Sequence, residues 1–156
     1  MANSAYLTKV VEPFIVEWVS KQIGIDLHPR KLRVGRRTDG TPVHFMFDGV
    51  SNDGNVGLLV STSHTLKPGG ARKLHTDASI LLNTRFRRRI MAFVNESVCT
   101  NFLNKCDGLL PLRKIEMMVC DCLPAPMTEE IVRFQTLARA EAGDKGKVWT
   151  VGKHRR

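Results

Sequence analysis

The sequence predicts an α/β domain: a mixed central sheet flanked by helices. Three observations carry this. An amphipathic helical segment opens the chain. Three strand-like apolar segments follow, separated only by turn signals, so they pair as a meander. After residue 65, helix-like and strand-like segments alternate, which requires crossover connections.

The first element is EPFIVEWVSKQIG. Pro13 suits a first helical turn, where the N–H has no partner. Phe14, Ile15, Trp18 and Val19 form an apolar stripe, and Gly24 suits the stop. KLRV (31–34) is a short strand. RRTDGTP turns the chain, with Asp39-Gly40 favouring positive φ. VHFMFDGVS is the second strand, with Val43, Phe45 and Phe47 on one face. Asn52-Asp53-Gly54-Asn55 is a hairpin turn in which Asp53 serves the turn itself. VGLLVSTS is nearly continuous in its apolar run, the pattern of a strand buried on both faces.

A helix is expected after Gly69-Gly70, with Leu74, Ala78, Leu81 and Leu82 inward. RRIMAFVN (88–95) reads as another buried strand, ESVCTNFLNKCDG as a helix and IEMMVCDCLP (115–124) as the last strand. MTEEIVRFQTLARAEAG closes the series as a helix, with Thr128 as its cap, acidic residues at its positive end and Gly143 at its stop.

With 156 residues the chain is expected to form a single domain over 1–143, followed by a basic tail over 144–156. No apolar run is long enough to span a bilayer, and the N-terminus lacks the pattern of a secretory signal. A cytoplasmic protein with no membrane partner is expected. The four cysteines make no disulfide framework. Cys99 and Cys106 share an apolar helix face with Val98, Phe102 and Leu103. Cys120 and Cys122 are spaced for one face of a strand and poorly for a zinc knuckle.

The formal net charge is +9. It is clustered in RKLRVGRR (30–37), RFRRR (85–89) and DKGKVWTVGKHRR (144–156). Nucleic acid, DNA first, is the leading partner class, because cations that neutralise phosphates release counterions and need no fixed motif. Arg36, Arg37, Arg72, Lys73, Arg85, Arg87 and Arg88 are the candidate contacts. Few aromatics are present, so contact is expected to be electrostatic rather than by base stacking, with Trp149 the lone aromatic among the tail's cations. The alternative class is a protein-interaction module, with an acidic protein or a second copy as partner. LKPGGARK lacks phosphate-loop spacing; its glycines offer backbone N–H groups beside Arg72 and Lys73.

The stretch FDGVSNDG ends an apolar strand on Asp48, turns, and enters VGLLVS. Together with the order helix, meander, helix, strand, it resembles the core of the PD-(D/E)XK, or restriction-endonuclease-like, nucleases over roughly residues 12–124. That resemblance implies Asp48 as a metal-binding carboxylate. It also implies a Glu-x-Lys pair on the next strand, where the chain instead has Leu59-Val60-Ser61. Two carboxylates and a divalent ion such as Mg²⁺ are what the family's phosphodiester chemistry needs. The motif is therefore degraded.

Two consequences are weighed. In the first, the fold is kept, catalysis is lost, and the protein binds nucleic acid. In the second, an Mg²⁺-dependent endonuclease survives with migrated residues. Glu17 on the first helix then joins Asp48 at the metal, Lys73 or Arg72 replaces the lost lysine, and His64 or His75 carries protons. The polar run Ser61–Thr65 reads as a loop leaving the sheet.

Overall fold

In the computed structural model, which describes residues 4–148, five strands form one mixed sheet with helices on both faces. Helical backbone begins at Ser4–Tyr6, passes through a π-helical stretch, Leu7–Val11, and continues as α1, Glu12–Ile23. Gly24 ends α1 in the left-handed region at φ 69°, as its position in the sequence implies. Then come β1 (Leu27–Arg36), β2 (Pro42–Ser51), β3 (Val56–Ser61), α2 (Pro68–Leu82), β4 (Arg88–Phe93), α3 (Glu96–Cys106), β5 (Glu116–Val119) and α4 (Ala125–Val148).

The sheet order is β1-β2-β3-β4-β5. β1, β2 and β3 are antiparallel neighbours, whereas β3–β4 and β4–β5 are parallel. The meander followed by crossover units is thus present. β3 is buried at every residue. Its side chains alternate between two cores, as a strand covered on both faces requires. Leu59 joins Phe47, Met91 and Phe93 beneath α2 and α3. Leu58 and Val60 join Ile90 and Ala92 beneath α1 and α4.

Several boundaries differ from the sequence expectation. β1 runs through Leu27–Arg36 rather than four residues, because its pairing with β2 extends along the whole hairpin; Pro29 is tolerated on this edge strand. β5 stops at Val119, so Cys120 and Cys122 lie beyond the strand, one buried and one exposed. α4 starts at Ala125, and the Thr128 N–H donates to Pro124 O, so Thr128 sits inside the helix instead of capping it. α4 also passes Gly143, since glycine permits a helix stop without compelling one. Most of the basic tail, Trp149 included, lies outside the described residues.

Among the described residues no helix is long and apolar enough to cross a membrane.

Candidate functional site

The site begins with a register slip. His28 faces Val50 while Arg30 faces Phe47, so β2 carries one extra residue at Asp48–Gly49. A β-bulge of this kind re-aims the side chain that it carries. On the other side, β2 and β3 pair only at Gly49↔Leu58 and Val50↔Gly57. Beyond that point the Val60 N–H donates to Asp48 Oδ2 at 2.7 Å. The carboxylate thus takes the place of a ladder carbonyl where the two strands part, and the Val60 N–H is satisfied.

That position exposes Asp48 to groups from both helical layers. Burial pushes its carboxyl above the ordinary range; the Val60 N–H and the Lys73 ammonium oppose this, and the Asp77 carboxylate adds to it. From α1, the Glu12 carboxyl is also raised, first by burial and then by the charge of Asp48, with Lys73 again opposing. From α2, Asp77 is raised by burial, and Lys73 Nζ lies 3.6 Å from its Oδ2. Lys73 and Asp77 are four apart and so share a helix face. Glu12, Asp48, Asp77 and Lys73 therefore form one electrostatic group: three carboxyls held toward their neutral forms around one exposed ammonium.

The cleft in front of Asp48 has a volume of about 520 Å³ and is lined by Glu12, Glu17, Asp26, His28 and Met46, among others. Glu17 lies on its wall, but its side chain is 68% exposed and pairs with Lys21 at 3.2 Å. Glu12 is the α1 carboxyl that feels the charge of Asp48. Leu59 and Ser61, in the Glu-x-Lys place, are packed inside the sheet opposite Met91 and Phe93. Among the described residues, no three His, Cys, Asp or Glu side chains are grouped so as to hold a metal ion. His64 sits in the loop after β3, where its N–H donates to the Gln135 side chain; His75 lies on an exposed face of α2. Neither is among the groups that shift Asp48.

The candidate cations do not form one surface. Arg36 and Arg85, with Arg33, line a cleft of about 560 Å³ between β1 and the α2–β4 loop. Arg37 is exposed in the β1–β2 turn, and Arg87 is exposed ahead of β4. Arg72 lines a separate hollow with His75 and Lys105. Lys73 belongs to the carboxyl group already described. Arg88 makes two hydrogen bonds to Glu116, at 2.6 and 3.0 Å, so its charge is met within the sheet. Its neighbour Arg89 donates to Leu81 O and Thr84 O and closes the end of α2.

Glu12 and Asp77 are the site residues that sequence reasoning passes over. The signal for Asp77 was present in KLHTD, where it follows Lys73 by one helical turn. Glu12 carried none, since its meeting with Asp48 depends on how α1 lies across β2. No family model, curated protein or solved structure matches the chain.

Proposed function

We propose that this protein binds nucleic acid, DNA first, through a basic surface on a restriction-endonuclease-like core whose cleavage site is degraded. The order of elements, the meander and the aspartate on its second strand support the fold reading. Leu59 and Ser61 support the degraded site: buried in the sheet, they offer a metal neither a carboxylate nor an ammonium beside Asp48. The observation that carries binding is charge without counter-charge. Arg30, Lys31, Arg33, Arg36, Arg37, Arg85 and Arg87 are all exposed, and none forms an ion pair among the described residues. Such cations are stabilised by a polyanion.

A second reading keeps phosphodiester cleavage with a rearranged site. The charge of Asp48 acting on Glu12 favours it, because one or two carboxylates hold a hydrated Mg²⁺, with water and substrate phosphate completing its shell. In that reading Glu12 takes the role expected of Glu17, and the ion would supply Lewis-acid stabilisation of the phosphoryl oxygens. From α2, Lys73, held by Asp77, would face the attacking water or the substrate phosphate in place of the lost lysine.

Affinity for a labelled duplex measured against salt tests the binding reading. Log K is expected to fall linearly with log salt, with a slope of several units, as counterion release requires. A flat dependence, or no binding at low salt, overturns it.

A further inference from the structure

Given the binding reading above, the β1–β2 hairpin bears on how the nucleic acid is held. β1 and β2 are ten-residue strands, about 33 Å long, yet β2 pairs with β3 only at Gly49 and Val50. Residues 30–47 therefore run beyond the β2–β3 pairing as a two-stranded antiparallel arm, with Phe47 still in the core. Its inner face is apolar: Leu32, Val34 and Phe45 pack against the core beneath α2. Its outer face is set by the register Lys31↔Met46 and Arg33↔His44, which puts these four side chains together, all exposed. Met46 is 56% exposed, an unusual exposure for a large apolar side chain in a strand. Arg36 and Arg37 lie toward the tip, whereas Arg30, opposite the buried Phe47, alternates to the other face.

Five cations on this arm face one carboxylate, Asp39, which is engaged by the Thr41 N–H and hydroxyl in the turn. The other carboxylates near the arm, Glu12, Glu17, Asp26 and Asp48, line the cleft at its base, where His28 and Pro29 also lie. Met46 lies at the rim of that cleft, and the cationic surface begins beside it at Lys31 and runs toward the tip.

We infer that the β1–β2 arm docks in the major groove of duplex DNA. A two-stranded ribbon is one of the two elements that the B-form major groove, about 12 Å wide, admits, whereas the deep, narrow major groove of duplex RNA does not. Lys31, Arg33 and His44 face the base edges, Met46 offers apolar contact, and Arg36 and Arg37 reach the flanking phosphates. Charges on an edge strand also prevent edge-to-edge pairing of copies. Either sign of charge serves that end, so charge reversal separates the two roles.

The test compares fluorescence anisotropy on a labelled 20-base-pair DNA duplex and on duplex RNA of the same sequence. It uses the whole chain, the Lys31→Glu/Arg33→Glu variant, and Arg113→Glu/Lys114→Glu as a charge-matched control on the distant 3₁₀ turn. The arm variant is expected to lose at least about tenfold in DNA affinity with a salt slope shallower by about two, the control to stay within about threefold, and duplex RNA to bind at least about tenfold more weakly than DNA. An unchanged melting temperature shows that each variant is folded. Equal losses in arm and control variants, or equal affinity for the two duplexes, overturn the arm assignment and leave the binding reading standing. No binding of either duplex by the unaltered chain overturns both.

Discussion

Asp48 Oδ2 accepts the Val60 N–H at 2.7 Å at the point where β2 and β3 separate. A carboxylate that resembles half of a metal site is therefore also a structural acceptor, standing in for the ladder carbonyl that β2 no longer presents. The two roles make different demands. Structure needs only an acceptor oxygen; metal binding needs the charge.

Substitution at Asp48 separates them. Asp48→Asn keeps an acceptor and removes a charge that burial disfavours, so stability is expected to hold or rise. Asp48→Ala leaves the Val60 N–H without its partner, which costs about 1–3 kcal/mol, or a melting temperature lower by roughly 2–4 °C per kcal/mol in a chain of this size. Thermal unfolding of both variants checks this; an alanine variant as stable as the asparagine one contradicts the structural role.

Acidity gives an independent check on the carboxyl group around Lys73. Glu12, Asp48 and Asp77 all have raised folded-state values, so the folded chain holds protons that the unfolded chain has released. Stability from these groups is greatest below their ordinary values, 3.8 for the aspartates and 4.5 for Glu12, and declines as pH rises from there through the raised values. Asp39 and Asp53, both lowered, act in the opposite sense, their contribution being lost as pH falls through their folded values. Glu12→Gln is expected to raise the urea midpoint at neutral pH, with the gain vanishing as pH falls toward 4.5. A gain that persists unchanged into acid contradicts the burial of this carboxyl.

The meander was legible because turns of Asp-Gly and Asn-Asp-Gly-Asn type have few alternatives, and Gly40 and Gly54 do take positive φ. Asp48 was legible because a carboxylate at the end of an apolar run is rare. Its partner was not. Glu12 and Glu17 sit on one helix, about 140° apart around its axis, and only the packing of Ile15, Val16 and Val19 against the sheet decides which one faces β2. The bulge at Asp48–Gly49 inverts the alternation, so that Val50 follows Phe47 on one face, but Val50 and Ser51 before the turn are too short a run to show the change of phase. The charge clusters were visible, but not that Arg88 is held by Glu116, a residue 28 positions away.

Packing around β3 predicts a sharp cost at Gly57. A methyl group there would collide with the ring of Phe86, which is buried and meets Phe47 edge-on with centroids 5.1 Å apart. Gly57→Ala is expected to lose about 1–3 kcal/mol, the usual range for overpacking. Adding Phe86→Leu should restore part of that loss, giving a coupling in a double-mutant cycle. Strictly additive losses contradict the contact.

Arg88→Ala removes a half-exposed pair with Glu116, and its expected cost is under about 1 kcal/mol. Because that charge is already matched, DNA affinity should change less than for Arg33→Glu or Arg85→Glu. A larger loss at Arg88 contradicts the division of the cations into matched and unmatched sets.

The most direct measurement is a gel series with labelled single- and double-stranded DNA and RNA, in Mg²⁺, Mn²⁺ or EDTA, beside Asp48→Asn. The expected result is a shifted band of uncut nucleic acid, the same in every metal condition and in the variant. Absence of any shift contradicts nucleic-acid binding. Metal-dependent cleavage that disappears in Asp48→Asn contradicts the degraded site and turns Glu12, Asp77 and Lys73 into the residues to change next.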